Sequence, residues 1–208
     1  MTSVALLDYG AGNLRSLRAA FERATDRVVV ADHPHEVVGA DLVVIPGVGA
    51  APPAMRQLEA QGLTTAVHEA LRDGSAILGV CLGLQLLFER SEEGDVGCLG
   101  LLPGTVSLLR GARRLPHMGW NDVEPARPHP LAEPLPAVCY FAHSYAVQDA
   151  PAEVVIATTP VEGGRFASVV GRDRIVGAQF HPERSAEGGR ALLRAALSFA
   201  EGTASDAA

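Results

Sequence analysis

The chain has 208 residues, 48% of them apolar, and carries a formal charge of -7 from 24 acidic and 17 basic groups. That length and composition suit one sizeable core and exclude a disordered or collagen-like chain. The negative charge, with arginines scattered except around Arg110–Arg114, makes nucleic acid an unfavourable partner.

In chain order, Val4–Leu7 reads as a strand ending in the turn Asp8-Tyr9-Gly10-Ala11-Gly12. A helix follows with Leu14, Leu17 and Phe21 on one face and Asn13 as N-cap. Val28–Val30 and Leu42–Ile45 read as strands, and Ala54–Leu71 as a helix broken at Gly62. Ser75–Val80 is the fourth strand, leading into a helix through Leu86 and Leu87. Alternating helices and continuous apolar strands predict a parallel sheet covered on both faces.

The second half changes character. Gly104–Leu109, Gly119–Val123, Val138–Val147, Val154–Thr158 and Phe166–Val170 read as strands between Gly/Pro turns, an antiparallel portion added to the sheet, and Val176–Phe180 reads as a further strand. A last helix sets Leu192, Ala195, Ala196 and Phe199 on one face, and residues 202–208 read as a frayed tail. No linker or internal repeat divides the chain, so one domain over 1–208 is expected. The start, MTSVALLDYGAGN, lacks a basic n-region and is interrupted by Asp8, unlike a signal peptide. No apolar run is long enough to span a bilayer. Cys81, Cys98 and Cys139 form no C-x-x-C pair, which argues against a disulfide framework or zinc site and suits a reducing, cytoplasmic setting.

Gly79-Val80-Cys81-Leu82-Gly83 has the form of a nucleophile elbow at a strand–turn–helix junction. The glycines would clear space for a tight turn that lifts the sulfur to the carboxyl edge of the sheet. The helix N-terminus would favour the thiolate, the reactive form. The competing reading of Cys81 is a small buried hydrophobe, the usual fate of a free cysteine; Cys98 and Cys139, without such a context, read as structural.

A thiol nucleophile needs a base and a group to orient that base. Gln179-Phe180-His181-Pro182-Glu183 supplies both in one turn, although a turn histidine capping a strand would be the simpler reading without the elbow. His33, His35, His68 and His129 read as solvated, and no histidine pair has metal-ligand spacing on a helix, so neither a metal nor a cofactor is expected. Pro46-Gly47-Val48-Gly49 follows a strand directly. Alone it is a loop signal, but its backbone could join the Leu82 N–H in holding a developing oxyanion.

Taken in order, PGVG, GVCLGLQ and QFHPE resemble the class I, triad-type glutamine amidotransferases over nearly the whole chain. The resemblance implies a flavodoxin-like α/β sandwich with a mostly parallel central sheet. It implies Cys81 as nucleophile, His181 as base and Glu183 as orienter, passing through a glutamyl thioester. It also places Val48 and Leu82 in the oxyanion hole, after the Val48 peptide reorients with freedom supplied by Gly47 and Gly49. Gly47, Gly49, Gln85, Ser144 and Tyr145 would hold L-glutamine.

DYGAGNLRS, PHMGWN and YFAHSY look like the glutaminase subunits of imidazole glycerol phosphate synthases. That subfamily implies a heterodimer with a (β/α)8-barrel cyclase, with Asn13, Met118, Trp120, Asn121 and Tyr140 toward the barrel. Without the resemblance, Trp120 and Tyr140 would read as ordinary sheet packing. Two alternatives stay open: the glutaminase of another synthase, such as that for pyridoxal phosphate, and a non-catalytic scaffold of the same fold. After PGVG an Ala-Phe pair is common, whereas here Ala50 is followed by Ala51, Pro52 and Pro53, which bears on packing of the loop. Leu84 and Arg184 stand where Met and Lys are frequent.

Overall fold

A computed structural model of the chain describes residues 1–10, 13–133, 135 and 137–202. The expected turn residues Ala11 and Gly12, and tail residues 203–208, lie outside the described residues.

The first half alternates β1 (Val4–Leu7), α1 (Leu14–Phe21), β2 (Val28–Ala31), β3 (Leu42–Ile45), α2 (Ala51–Ala60), α3 (Leu63–Arg72), β4 (Ala76–Val80) and α4 (Leu82–Leu86). The second half is rich in strands: β5 (Phe88–Ser91), β6 (Val96–Gly97), β7 (Leu102–Leu108), β8 (His117–Asp122) and β9 (Glu124–Pro125). Then come β10 (Val138–His143), β11 (Tyr145–Ala146), β12 (Val155–Val161), β13 (Gly164–Arg172), β14 (Ile175–Ala178) and α5 (Ala186–Gly202).

Among the described residues, the central sheet runs β2-β1-β3-β4-β14-β13-β12-β9. A parallel part, from β2 through β14, and an antiparallel part, from there to β9, are both present as expected, with β14 itself parallel to β4. Strand residues alternate between two cores because successive side chains leave opposite faces. Leu7, Val43, Ile45 and Ile77 pack with α2, α3 and α4, whereas Leu6, Leu42, Val44 and Leu78 pack with α1 and α5. Burying each such side chain contributes roughly 1.5–3 kcal/mol, which makes these strands the rigid platform for whatever stands at their carboxyl ends.

Several boundaries differ from the sequence expectation for identifiable reasons. The helix expected over Ala54–Leu71 does break at Gly62, whose φ is 71°, but it begins at Ala51. Pro52 and Pro53 fall in its first turn, where a missing N–H costs no helical bond, and the Glu93 carboxylate accepts from the Ala51 N–H at 2.7 Å. The Ala51–Pro53 departure is thereby accommodated as a helix start. Asn13 stands at the N-cap of α1 but makes no side-chain cap bond.

The expected strand Val138–Val147 is two strands parted at Ser144: β10 pairs with β8 as a separate ribbon, and β11 joins β7, β5 and β6 in a third sheet. The strands of that third sheet at Phe88–Ser91 and Val96–Gly97 were not foreseen. The short β14 ends at Ala178, though Gln179 N–H still bonds the Ser168 carbonyl at 2.9 Å. On α5, Leu192 and Ala196 are buried as expected, with Leu193, Leu197 and Ala200 completing the stripe; Ala195 and Phe199 lie half-buried at its margin.

Candidate active site

β4 lies between β3 and β14, so its carboxyl end opens at the middle of the parallel sheet. Cys81 follows directly with φ 53° and ψ -107°, a left-handed conformation that costs a non-glycine residue on the order of 1–3 kcal/mol. Its N–H is tied to the Ala178 carbonyl at 2.8 Å. The turn is closed by contact: a Cβ on Gly79 would lie 2.6 Å from the Gly83 carbonyl oxygen, and one on Gly83 would collide with the Ile45 carbonyl. Leu82 opens α4, and as a first-turn residue its N–H has no intrahelical acceptor.

His181 emerges just beyond β14 and is fixed through its backbone. Its N–H donates to the Tyr140 carbonyl at 2.9 Å, and its own carbonyl accepts from the Ser185 hydroxyl at 2.7 Å. The same hydroxyl oxygen accepts from the Tyr140 N–H at 3.0 Å, binding the turn to β10. A 3-10 turn over Pro182–Arg184 then folds Glu183 back, and its Oε1 lies 3.0 Å from His181 Nδ1.

His181 and Cys81 line the same cavity, with Nε2 the ring nitrogen that Glu183 does not engage. Burial disfavours the imidazolium, but the hydrogen bonds and charges of Cys81 and Glu183 outweigh it and lift the His181 pKa to about 10. Glu183 Oε2 is buried and has no partner among the described residues.

A cavity of about 340 Å³ holds this group. Its walls include the sequence-predicted Asn13, Val48, Gly49, Cys81, Leu82, Gln85, Ser144, Tyr145, His181 and Glu183. Gly47 stands behind the wall, packed on Leu82. Ile45 pairs with Gly79 in the sheet, which sets the following Gly47–Gly49 loop beside the elbow. Val48 is exposed at the mouth, and Gly49 has φ 99°. A larger hollow of about 700 Å³ along β8 and β12 contains none of the three triad candidates.

Residues singled out only within motifs also enter the site. Gln85 donates to the Tyr145 carbonyl at 2.7 Å and to Gln179 Oε1 at 3.2 Å, while the Gln179 amide nitrogen lies 3.8 Å from Cys81 Sγ. His143 lines the cavity and stays neutral: burial, then the neighbouring His117, depress its pKa to about 3. In that form Nδ1–H can donate to the Tyr145 carbonyl at 2.9 Å, so two side chains hold one carbonyl of the cavity wall. Arg184 lies over the Tyr140 ring at 4.1 Å and reaches the cavity rim. The DYGAGN, YFAHSY and QFHPE segments contained Tyr9, His143 and Gln179, but side-chain direction, which marks them, is a product of the fold.

Of the expected partner residues, Met118 and Trp120 are exposed on the outer face of β8, and Trp120 faces Tyr140 across the ribbon with ring centroids 6.1 Å apart. Asn121 has the opposite strand parity, its amide donates to the Pro160 carbonyl at 3.1 Å, and it lines the hollow of about 700 Å³ together with Met118. Cys98 and Cys139 have thiols raised by burial to about 11 and about 12, consistent with structural roles.

An elbow cysteine, a histidine bonded to a carboxylate and a backbone loop at the carboxyl edge of a parallel sheet are the parts that acyl transfer to a nucleophile requires. Residues 5–197 match the family model for Glutamine amidotransferase class-I, and the chain belongs to that family.

Within it, the chain is 50% identical over 200 residues to "Imidazole glycerol phosphate synthase subunit HisH" of Xanthomonas axonopodis pv. citri, covering 93% of this chain and 96% of that one. It is 48% identical over 198 residues to the protein of the same name from Xylella fastidiosa (strain Temecula1), with the same coverages. A solved structure described as a glutamine amidotransferase superposes with a TM-score of 0.75 at 21% identity, covering 95% of this chain and 98% of that one, a likeness of fold.

Proposed function

We propose that this chain is the glutaminase subunit of an imidazole glycerol phosphate synthase, hydrolysing L-glutamine to glutamate and ammonia with Cys81, His181 and Glu183. The observation that carries the chemistry is the convergence of the three side chains on one cavity, with His181 Nδ1 3.0 Å from Glu183 Oε1.

In this reading the thiol proton has passed to His181 before the Cys81 sulfur attacks the glutamine carboxamide carbon. The negative charge on the carbonyl oxygen is met by the Leu82 N–H and, once its peptide turns inward, by the Val48 N–H. Collapse of the tetrahedral intermediate breaks the C–N bond, and His181 delivers its proton to the departing ammonia. Water, deprotonated by His181, then attacks the thioester and releases glutamate with the proton returned to Cys81. Glu183 holds the ring by Nδ1 throughout. Gly49, Gln85, Ser144 and Tyr145 shape the pocket for the amino-acid end of the substrate, with Gly47 seating the loop.

The ammonia passes to a cyclase subunit with a (β/α)8 barrel, which docks over Asn13, Met118, Trp120, Asn121 and Tyr140. The facing rings of Trp120 and Tyr140, with Trp120 largely exposed, are what an interface anchor requires. A cytoplasmic setting follows from the biosynthetic role; among the described residues, no helix is long and apolar enough to cross a membrane.

The test is glutamate formation by the chain alone, and with the cyclase subunit and its nucleotide ligand, beside Cys81→Ala. Strong stimulation that the variant abolishes is the expected result. Cys81-independent turnover would overturn the triad, and turnover indifferent to the cyclase would remove the partner.

A further inference from the structure

Tyr9 is nearly absent from the solvent surface and stands just past the carboxyl end of β1, where no part of it lines the glutamine cavity. β1 pairs with β3, Leu6 opposite Val44, so the chain beyond β1 runs beside Pro46 and Gly47. The Tyr9 hydroxyl donates to the Pro46 carbonyl, the oxygen of the peptide that leads into Gly47.

Gly47 is clasped between that phenol and the elbow. A Cβ there would stand 2.6 Å from Leu82 Cβ, 2.9 Å from the Gly83 nitrogen and 3.0 Å from the Tyr9 hydroxyl oxygen. On the far side of the loop, Tyr9 shares a hollow of about 500 Å³ with Val48, Gly49 and Ala50, which leaves the next peptide room to turn. Burial, then the charge of Cys81, raise the Tyr9 phenol above its ordinary value, keeping the hydroxyl a donor.

We propose that Tyr9 is a positioning residue for glutamine hydrolysis: its hydroxyl anchors the Pro46–Gly47 peptide against the elbow, so that the Val48 peptide turns about a fixed point and its N–H meets the oxyanion. This rests on the assignment of Val48 and Leu82 as oxyanion donors. An anchor of this kind acts on the transition state and leaves ground-state binding alone, because the oxyanion exists only in the former.

The decisive variant is Tyr9→Phe, assayed in complex with the cyclase subunit and its nucleotide ligand, with rates normalised to sites titrated by a glutamine analogue that alkylates Cys81. The expected result is about a tenfold loss of kcat at unchanged KM, as for a donor displaced by a fraction of an ångström. Reaction of Cys81 with iodoacetamide, a displacement that builds no oxyanion, keeps its rate. Replacing Tyr9 with 4-aminophenylalanine, which retains a donor at the same point, restores kcat to within about twofold.

An unchanged kcat per titrated site, a KM effect alone, a parallel loss of iodoacetamide reactivity, or absence of rescue each overturns the proposal. Should Tyr9→Phe yield no folded protein, the 4-aminophenylalanine protein decides the matter: near-full kcat supports the anchor, and a tenfold loss at unchanged KM overturns it. Val48→Pro separates the two levels. If it leaves kcat intact, the oxyanion assignment itself falls; if it lowers kcat while Tyr9→Phe does not, only the anchor does.

Discussion

His181 Nδ1 lies 3.0 Å from Glu183 Oε1, in a turn where the two side chains are only 7% and 3% exposed. A carboxylate so placed can hold one tautomer of the ring and aim Nε2 at Cys81. Glu183→Gln keeps the shape and removes the charge, and a mis-set tautomer in comparable triads costs up to about 10⁴-fold. We expect kcat to fall roughly 10²- to 10⁴-fold with little change in KM, measured as steady-state glutamate formation in the complex.

The site also gives stability a definite dependence on pH. His181 has its folded pKa raised to about 10 from 6.5, so its contribution is fully present below 6.5 and is lost as pH rises through about 10. His143 is depressed from 6.5 to about 3, so below 6.5 the unfolded chain binds the extra proton and stability falls toward about 3. Denaturation midpoints measured across pH 3–7 should decline more gently in His143→Gln than in the parent; equal slopes would remove His143 from the acid response.

Gly83 sits where a methyl group would overlap the Ile45 carbonyl of the neighbouring strand, a rigid obstacle. Gly83→Ala should lower unfolding free energy by about 3 kcal/mol or more, because neither backbone can yield without disturbing the central sheet. Gly97→Ala is the matched control, since nothing lies within 4 Å of its would-be Cβ. Its effect should stay within about 1 kcal/mol, and urea titration of both variants provides the comparison.

Trp120 is 56% exposed and leans edge-on against Tyr140. Trp120→Ala should leave folding and unstimulated glutaminase nearly unchanged, yet weaken cyclase binding by about 2 kcal/mol or more, the usual cost of truncating an aromatic anchor. Titration calorimetry against the cyclase subunit reads this directly, and an unaltered affinity would move the interface away from the β8–β10 ribbon.

The parallel half was legible because its signals are local. Val4–Leu7 and Leu42–Ile45 are continuous apolar runs with the observed boundaries. Cys81, His181 and Glu183 stood out because an elbow and a short H-P-E turn concentrate chemistry within a few residues. A strand's partner is a different matter. Nothing in Val138–Val147 announces that Ser144 parts two strands bound to different sheets, since pairing depends on residues far along the chain.

The amino-acid order alone was sufficient for the class of fold and for singling out Cys81, His181, Glu183 and the Gly47–Gly49 loop as candidates, because glycine spacing and apolar runs act through short-range sterics and burial. The assembled chain was needed to put Asn121 on the face opposite Trp120, to keep His143 neutral in the cavity wall, and to press the Tyr9 hydroxyl onto Pro46. Each of these depends on where a side chain points after distant segments pack, and packing sets that direction through contacts that no local pattern encodes.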